Sequence, residues 1–166
     1  MKIFLFSGSG NGSGKSSAAK LMTQDVWSLA NGIRDDLTSR YPRYNWHNKS
    51  QIYKDTTIIE EYEIGNKSMR QVMIEYGQLR CKNNPTYWAD LLVSYLKNRH
   101  FIADGTSIIG VDDIRKICEL ETIRAAFPNS TTHFHLTTPI GIAKVEPEFE
   151  NEQLALLADY RMTWSK

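Results

Sequence analysis

Apolar residues occur along the chain in two patterns. Short apolar runs predict strands, and apolar residues spaced three and four apart predict helices. Short apolar runs predict strands over 2–6, 100–104 and 131–136, because runs of this length suit buried strands. Asn31-Gly32 and Gly77 are interpreted as helix ends. Apolar residues spaced three and four apart predict helices over 15–27, 33–40, 68–77, 85–97, 112–127 and 151–162. Strands that alternate with helices predict a mostly parallel sheet flanked by helices, an α/β fold.

A glycine-rich segment lies between the first predicted strand and the first predicted helix, and it ends in Gly14-Lys15-Ser16-Ser17. In a G-x-x-x-x-G-K-S pattern the first glycine falls on Ser9, so the loop begins either there or at Gly8. Such a loop wraps its backbone N–H groups around phosphates, while its lysine reaches the β- and γ-phosphates. The predicted ATP-binding residues are Gly10, Asn11, Gly12, Ser13, Gly14, Lys15, Ser16 and Ser17. This context predicts a P-loop NTPase-type three-layer sandwich.

Magnesium is the second predicted cofactor, since the Ser16 hydroxyl of such a loop is placed on Mg²⁺. The strand predicted over 100–104 ends in Asp104, and ligands of open α/β sheets bind at the carboxyl ends of strands. Ser16 and Asp104 are therefore the predicted metal ligands. His133 and His135 share one face of the third strand, but two histidines without a third ligand make a weak metal site.

Composition favours one cytoplasmic domain over residues 1–166. The formal net charge of +1 gives no general attraction to nucleic acid or membranes. Cys81 and Cys118 stand apart and indicate core thiols. No apolar run approaches the ~18 residues of a membrane span, and the first apolar run is too short for a signal peptide. The irregular stretch 41–57 interleaves aromatic and basic residues, and its role as a base-stacking wall or as a loop tucked into the core is left open.

Taken in order, these motifs resemble bacteriophage deoxynucleoside monophosphate kinases and the wider nucleoside and nucleotide kinase group. The resemblance covers roughly 1–139. It rests on the glycine loop, Leu29-Ala30-Asn31-Gly32-Ile33-Arg34, Arg70-Gln71-Val72-Met73 before Tyr76-Gly77, Arg80 with Tyr87-Trp88, and Phe101-Ile102-Ala103-Asp104.

The resemblance implies an ATP-dependent kinase whose acceptor is a deoxynucleoside monophosphate, working in the host cytoplasm if phage-encoded. It implies an acceptor-binding insertion at about 31–84 and a short lid at about 137–150, with a homodimer left open. The catalytic residues that it implies are Lys15, Asp104, Arg80 and Arg70, and the substrate-binding residues are Arg34, Arg70, Arg80 and Trp88. Arginine suits an acceptor phosphate because its planar fork binds two oxygens.

Two departures from the family pattern keep other functions open. Gly105 stands where those kinases usually place an arginine after the acid, and Thr137-Thr138-Pro139 supplies no lid arginine. One alternative is a kinase that phosphorylates hydroxymethylated pyrimidines within DNA, with the basic and aromatic stretch 40–54 against the polymer. In that case Asp104 or Asp35 would serve as base. Another is a nucleotide-binding sensor or assembly protein without turnover.

Overall fold

The computed structural model describes residues 1–9, 13–48, 50–61, 66–100, 107–137 and 150–163, with the backbone alone for residues 99 and 100. It divides into two compact units, one of Met1–Leu29 with Ala89–Lys166 and one of Ala30–Trp88. The second unit includes the predicted insertion at 31–84, whose role stays a prediction. In the described part of the chain, no helix is both long and apolar enough to cross a membrane.

The elements alternate between strands and helices for most of the chain. In order they are β1 Lys2–Gly8, α1 Lys15–Met22, β2 Asp25–Ser28, α2 Leu29–Arg40, α3 Gln51–Thr56, β3 Ile58–Ile59, β4 Lys67–Ser68, α4 Met69–Cys81, α5 Tyr87–His100, β5 Ile108–Asp112, α6 Ile117–Ala126, β6 Thr131–Thr137, α7 Asn151–Leu156 and β7 Tyr160–Thr163.

Five strands of the first unit form one sheet in the order β2-β5-β1-β6-β7, and every pairing in it is parallel. The chain leaves β1 toward the β2 edge and leaves β6 toward the β7 edge. These two neighbours therefore form a topological switch point, where a crevice opens at the carboxyl ends of the strands. The α/β fold with a mostly parallel sheet flanked by helices is confirmed.

Side chains of β1 alternate between two apolar layers, as the pleat of a strand requires. Ile3 and Leu5 are fully buried in a cluster that includes residues of α5, α6 and α7. Phe6 points into a second cluster with Ala18 and Ala19 of α1. Because both faces are covered, β1 is held rigidly up to its carboxyl end, where the glycine-rich segment starts.

The helix predicted over 15–27 is wrong in its second half. It ends at Met22, and residues Asp25–Ser28 form the edge strand β2. Thr23 adopts an extended backbone, and its hydroxyl donates to the carbonyls of Ala19 (2.7 Å) and Asp25 (3.2 Å). The Ala19 carbonyl thus accepts from both the backbone N–H and the hydroxyl of Thr23, and the helix ends at this turn.

The helix predicted over 112–127 starts five residues later than predicted. That helix begins at Ile117, and Asp112 is the last residue of β5, Ile108–Asp112, which lies between β2 and β1 in the sheet. Gly110 obscured this strand in the sequence, yet a Cβ there would lie 2.6 Å from Thr23 Oγ1, so a close contact requires the glycine. Of the strand predicted over 100–104, His100 belongs to α5 and the remaining residues lie outside the described ones.

The bounds of elements in the last third of the chain agree with the prediction only in part. The helix predicted over 151–162 ends at Leu156, and Tyr160–Thr163 form β7 beside β6. The strand predicted over 131–136 is confirmed as Thr131–Thr137. The predicted lid falls almost wholly on residues 138–149, which lie outside the described residues.

In the second unit, the two glycines predicted to end helices lie inside them. Gly32 is in α2 and Gly77 is in α4, and a Cβ on either would lie 3.0 Å from a neighbouring side chain, Trp88 or Ile33. Close packing, rather than a turn, accounts for both. The N-cap predicted at Ser68 is confirmed, since its hydroxyl accepts from Gln71 N in a capping box.

The core of the second unit gathers its aromatic residues. Trp46 is fully buried there beside half-buried Tyr41 and Tyr44. Of the two roles left open for 41–57, packing into the core is the one found for Trp46.

Candidate functional site

The glycine-rich segment follows β1 at the switch point, and its first residues contact β6. Ser9 N donates to the carbonyl of Leu136 at 3.0 Å. A Cβ at Gly8 would clash with Ser13 Oγ and lie 2.8 Å from the Leu136 oxygen, so no larger residue fits at this turn. Gly10, Asn11 and Gly12 lie outside the described residues. The described part of the loop therefore packs closely on β6.

Lys15 opens helix α1 on the other side of the loop. Its Nζ donates to Ser13 Oγ at 3.3 Å. Gly14, before it, has φ 85°, a left-handed conformation that favours glycine, and it provides no side chain to cap the helix. The first N–H groups of α1 and the Lys15 ammonium are positive groups on one short segment. That combination is suited to an anion such as a phosphate.

Ser16, the second residue of α1, contacts an acidic residue of the sheet. Its hydroxyl donates to Asp112 Oδ2 at 2.5 Å. Asp112 is the last residue of β5, the strand next to β1, and it is 6% exposed. The loop serine and a buried strand-end carboxylate thus meet at the carboxyl edge of the sheet.

The sequence analysis assigned this acidic role to Asp104, which lies outside the described residues, so that assignment stays a prediction. Asp112 was missed because no strand was predicted over residues 108–111 and Asp112 itself was interpreted as the first residue of a helix. The available signal was the run Ile108-Ile109-Gly110-Val111 followed by the acid, which has the length of a buried strand.

The chemistry of the pair fits Mg²⁺, which prefers oxygen ligands and usually takes only one or two carboxylates from the protein. Ser16 supplies a hydroxyl oxygen and Asp112 a carboxylate oxygen. Among the described residues, no group of three or more His, Cys, Asp or Glu residues could hold a metal ion. A site built here would therefore need ligands from phosphate and water, as Mg²⁺–nucleotide sites do.

The histidines of β6 are bound to a serine of β1. Ser7 Oγ lies 2.7 Å from His133 Nε2 and 2.8 Å from His135 Nδ1, and all three residues are buried. Burial lowers the pKa of each imidazole to about 4, and the Lys15 charge adds to this at His135. The pair is thus a neutral hydrogen-bonding group at pH 7.

In the second unit, Arg80 belongs to a polar cluster with Tyr76 and Asp36. Its Nη2 donates to Tyr76 Oη at 2.8 Å and to Asp36 Oδ2 at 3.0 Å, and Tyr76 Oη donates to the same carboxylate oxygen at 2.6 Å. The guanidinium also lies 5.6 Å from the Tyr87 ring centroid. Arg40 lies 5.5 Å from the Tyr76 ring, so two arginines converge on one tyrosine.

Of the other predicted acceptor residues, Trp88 packs against this cluster, with its ring centroid 6.4 Å from that of Tyr76. Arg70 binds Asp55 and Gln51 of α3, and it lies ten positions before Arg80, or about 15 Å along α4. Arg34 donates to Asn31 at 2.6 Å within α2. Trp88 is 6% exposed in the core and donates to the Gly77 carbonyl at 3.2 Å. The structure accounts for Trp88 by packing, and its contact with a substrate stays a prediction.

Comparison with known proteins yields no family assignment. No protein-family model matches the sequence, and no curated protein sequence is significantly similar to it. Among solved structures, the chain is similar to an unliganded sugar kinase from Janibacter sp. HTCC2649, with 15% sequence identity and a TM-score of 0.47. The match covers 99% of this chain and 84% of that one.

Proposed function

We propose that the chain is an ATP-dependent kinase that transfers the γ-phosphoryl group of ATP to a deoxynucleoside monophosphate. The observation that supports this most is the contact between Ser16 and Asp112 at the carboxyl edge of the sheet. A loop serine beside a buried acid on the neighbouring strand suits a nucleotide whose phosphates share a metal ion. Lys15, on the same loop, adds the positive charge that such phosphates need.

Within this proposal each residue has a separate task. The backbone of the loop and Lys15 bind and orient the phosphate chain. Ser16 and Asp112 hold Mg²⁺, which neutralises phosphate charge when it is bound. Phosphoryl transfer depends mostly on positioning and charge stabilisation. An acceptor phosphate is already ionised, so the reaction needs no strong general base.

The acceptor is proposed to bind through arginines of the second unit. Arg80 is held by Tyr76 and Asp36 and is about one-third exposed, so its fixed guanidinium can still reach a ligand. Arg34 is the second proposed contact. Arg70 is held by Asp55 and Gln51 and is exposed to about the same extent as Arg80, so it is the third proposed contact.

The test is a panel of acceptors with γ-labelled ATP and Mg²⁺. It holds the four deoxynucleoside monophosphates, their hydroxymethylated pyrimidine forms, and plain and hydroxymethylated DNA. Lys15→Ala should reduce transfer by on the order of a hundredfold or more. Lys20→Ala, on the same helix and exposed, should match the native protein.

Each outcome assigns a function. Label on a mononucleotide supports the proposal and identifies the base. Label on hydroxymethylated DNA alone replaces it with the DNA kinase. Bound but uncleaved ATP with every acceptor replaces it with a nucleotide sensor.

A further inference from the structure

A buried polar chain at the base of the phosphate loop has no role in the proposed reaction. It consists of Ser7, His133 and His135, and we call it the Ser7 chain. Ser7 and His133 are fully buried and His135 is 2% exposed. Burying three polar side chains between sheet layers costs stability unless their hydrogen bonds are made, so the arrangement calls for an explanation.

The hydroxyl of Ser7 is the shared partner of both imidazoles. It has one proton, so it can donate to only one ring and must accept from the other. The distances of 2.7 and 2.8 Å are those of good hydrogen bonds on both sides. The Ser7 chain therefore fixes the rotamer of Ser7 and the orientations of both imidazole rings together.

The Ser7 chain lies directly beneath the described part of the loop. Ser7 pairs with His135 across β1 and β6, and the next pair is Gly8 with Leu136. Leu136 then accepts from Ser9 N at 3.0 Å, and Ser13 packs against Gly8. Ser13 in turn accepts from Lys15. A continuous line of contacts thus runs from His135 to the lysine.

Charge supports the same connection. The Lys15 and Arg161 cations both disfavour a charge on His135. A neutral imidazole supplies the polar partner that Ser7 needs without repelling the lysine. A lysine or arginine at position 135 would make that hydrogen bond only by placing a further cation under the loop.

We propose that His135, acting through Ser7, is a positioning residue for the phosphate loop and its Lys15. It does not touch the substrate or the reacting atoms. The effect on nucleotide affinity rests on the proposed function, whereas the effect on the loop itself does not.

The two histidines use different ring nitrogens, which allows a crossed test. The amide of asparagine can replace an imidazole Nδ1, and the longer amide of glutamine can replace Nε2. His135 bonds through Nδ1 and His133 through Nε2. His135→Asn and His133→Gln should therefore retain the hydrogen bonds of the Ser7 chain, while His135→Gln and His133→Asn should break them. His47→Gln, at an exposed histidine, is the control.

The first readout is the set of backbone amide resonances of residues 13–16 in the protein without nucleotide. We expect His135→Gln to shift them and His135→Asn to leave them close to native. The second readout is the dissociation constant for Mg·ATP, which should rise about tenfold in His135→Gln and stay close to native in His135→Asn. The His133 pair should show the opposite order.

A packing role would give another pattern. If both variants of each pair lower the melting temperature equally and leave the loop resonances in place, the Ser7 chain only stabilises the core and the inference is overturned. If the native protein binds no nucleotide, the proposed function fails, and the amide resonances still decide this inference.

Discussion

Acid should destabilise this protein through His133 and His135. Both imidazoles have a pKa of about 4 in the folded chain, against about 6.5 when exposed. The unfolded chain therefore binds these protons more tightly than the folded chain does. The resulting stability is present above pH 6.5 and is lost as pH falls from there toward 4.

The size of this effect follows from the two pKa values. Between pH 7 and pH 5, each histidine should reduce the free energy of unfolding by about 2 kcal/mol, or about 4 kcal/mol for the pair. Desolvation is the largest cause for both rings. Arg124 opposes the charge and Asp159 favours it at His133, while Lys15 and Arg161 oppose it at His135. A loss of this size is a large share of the stability of a typical domain.

Urea unfolding of the native protein at pH 7 and pH 5 measures the loss. The double variant His133→Gln/His135→Asn has no group titrating there and should lose about 4 kcal/mol less than the native protein over the same interval. Equal acid sensitivity in the native protein and the double variant would refute the reasoning.

Two further substitutions test the local packing. Gly110→Ala should lower the free energy of unfolding by about 1–3 kcal/mol, because its Cβ would lie 2.6 Å from Thr23 Oγ1. In a Thr23→Ala background, denaturant unfolding should show that most of this cost is removed. An unchanged cost in that background would contradict the contact. Ser68→Ala should lower the free energy of unfolding by about 1 kcal/mol through loss of the capping box. Ser39→Ala, at an exposed position near the end of α2, should change it by less, and equal losses in the two variants would count against the cap.

Much of the first unit could be predicted from sequence because local chemistry decides it. The apolar run at 2–6 and the glycine loop identify β1 and the start of α1 without tertiary information. The alternating pattern at 131–136 likewise identifies β6. In each case the pattern and the fold agree, as natural sequences tend to do.

The remainder depended on contacts that sequence does not display. Gly110 and Gly32 look like breakers, yet each is required by one neighbouring side chain, Thr23 or Trp88. Because the strand through Gly110 was not predicted, the acid at its end, Asp112, was not identified either. Arg70 and Arg80 lie ten positions apart on one helix, and the grouping of the acceptor arginines around a substrate stays a prediction.

The central claim is that Asp112 and Ser16 hold the magnesium ion of a bound nucleotide. Calorimetric titration with ATP, with and without Mg²⁺, on Asp112→Asn and Asp104→Asn tests it most directly. We predict that Asp112→Asn weakens binding in Mg²⁺ roughly 10- to 100-fold and has little effect without the metal, while Asp104→Asn binds as the native protein does. A loss confined to Asp104→Asn would contradict this account and move the metal site to the acid predicted from sequence.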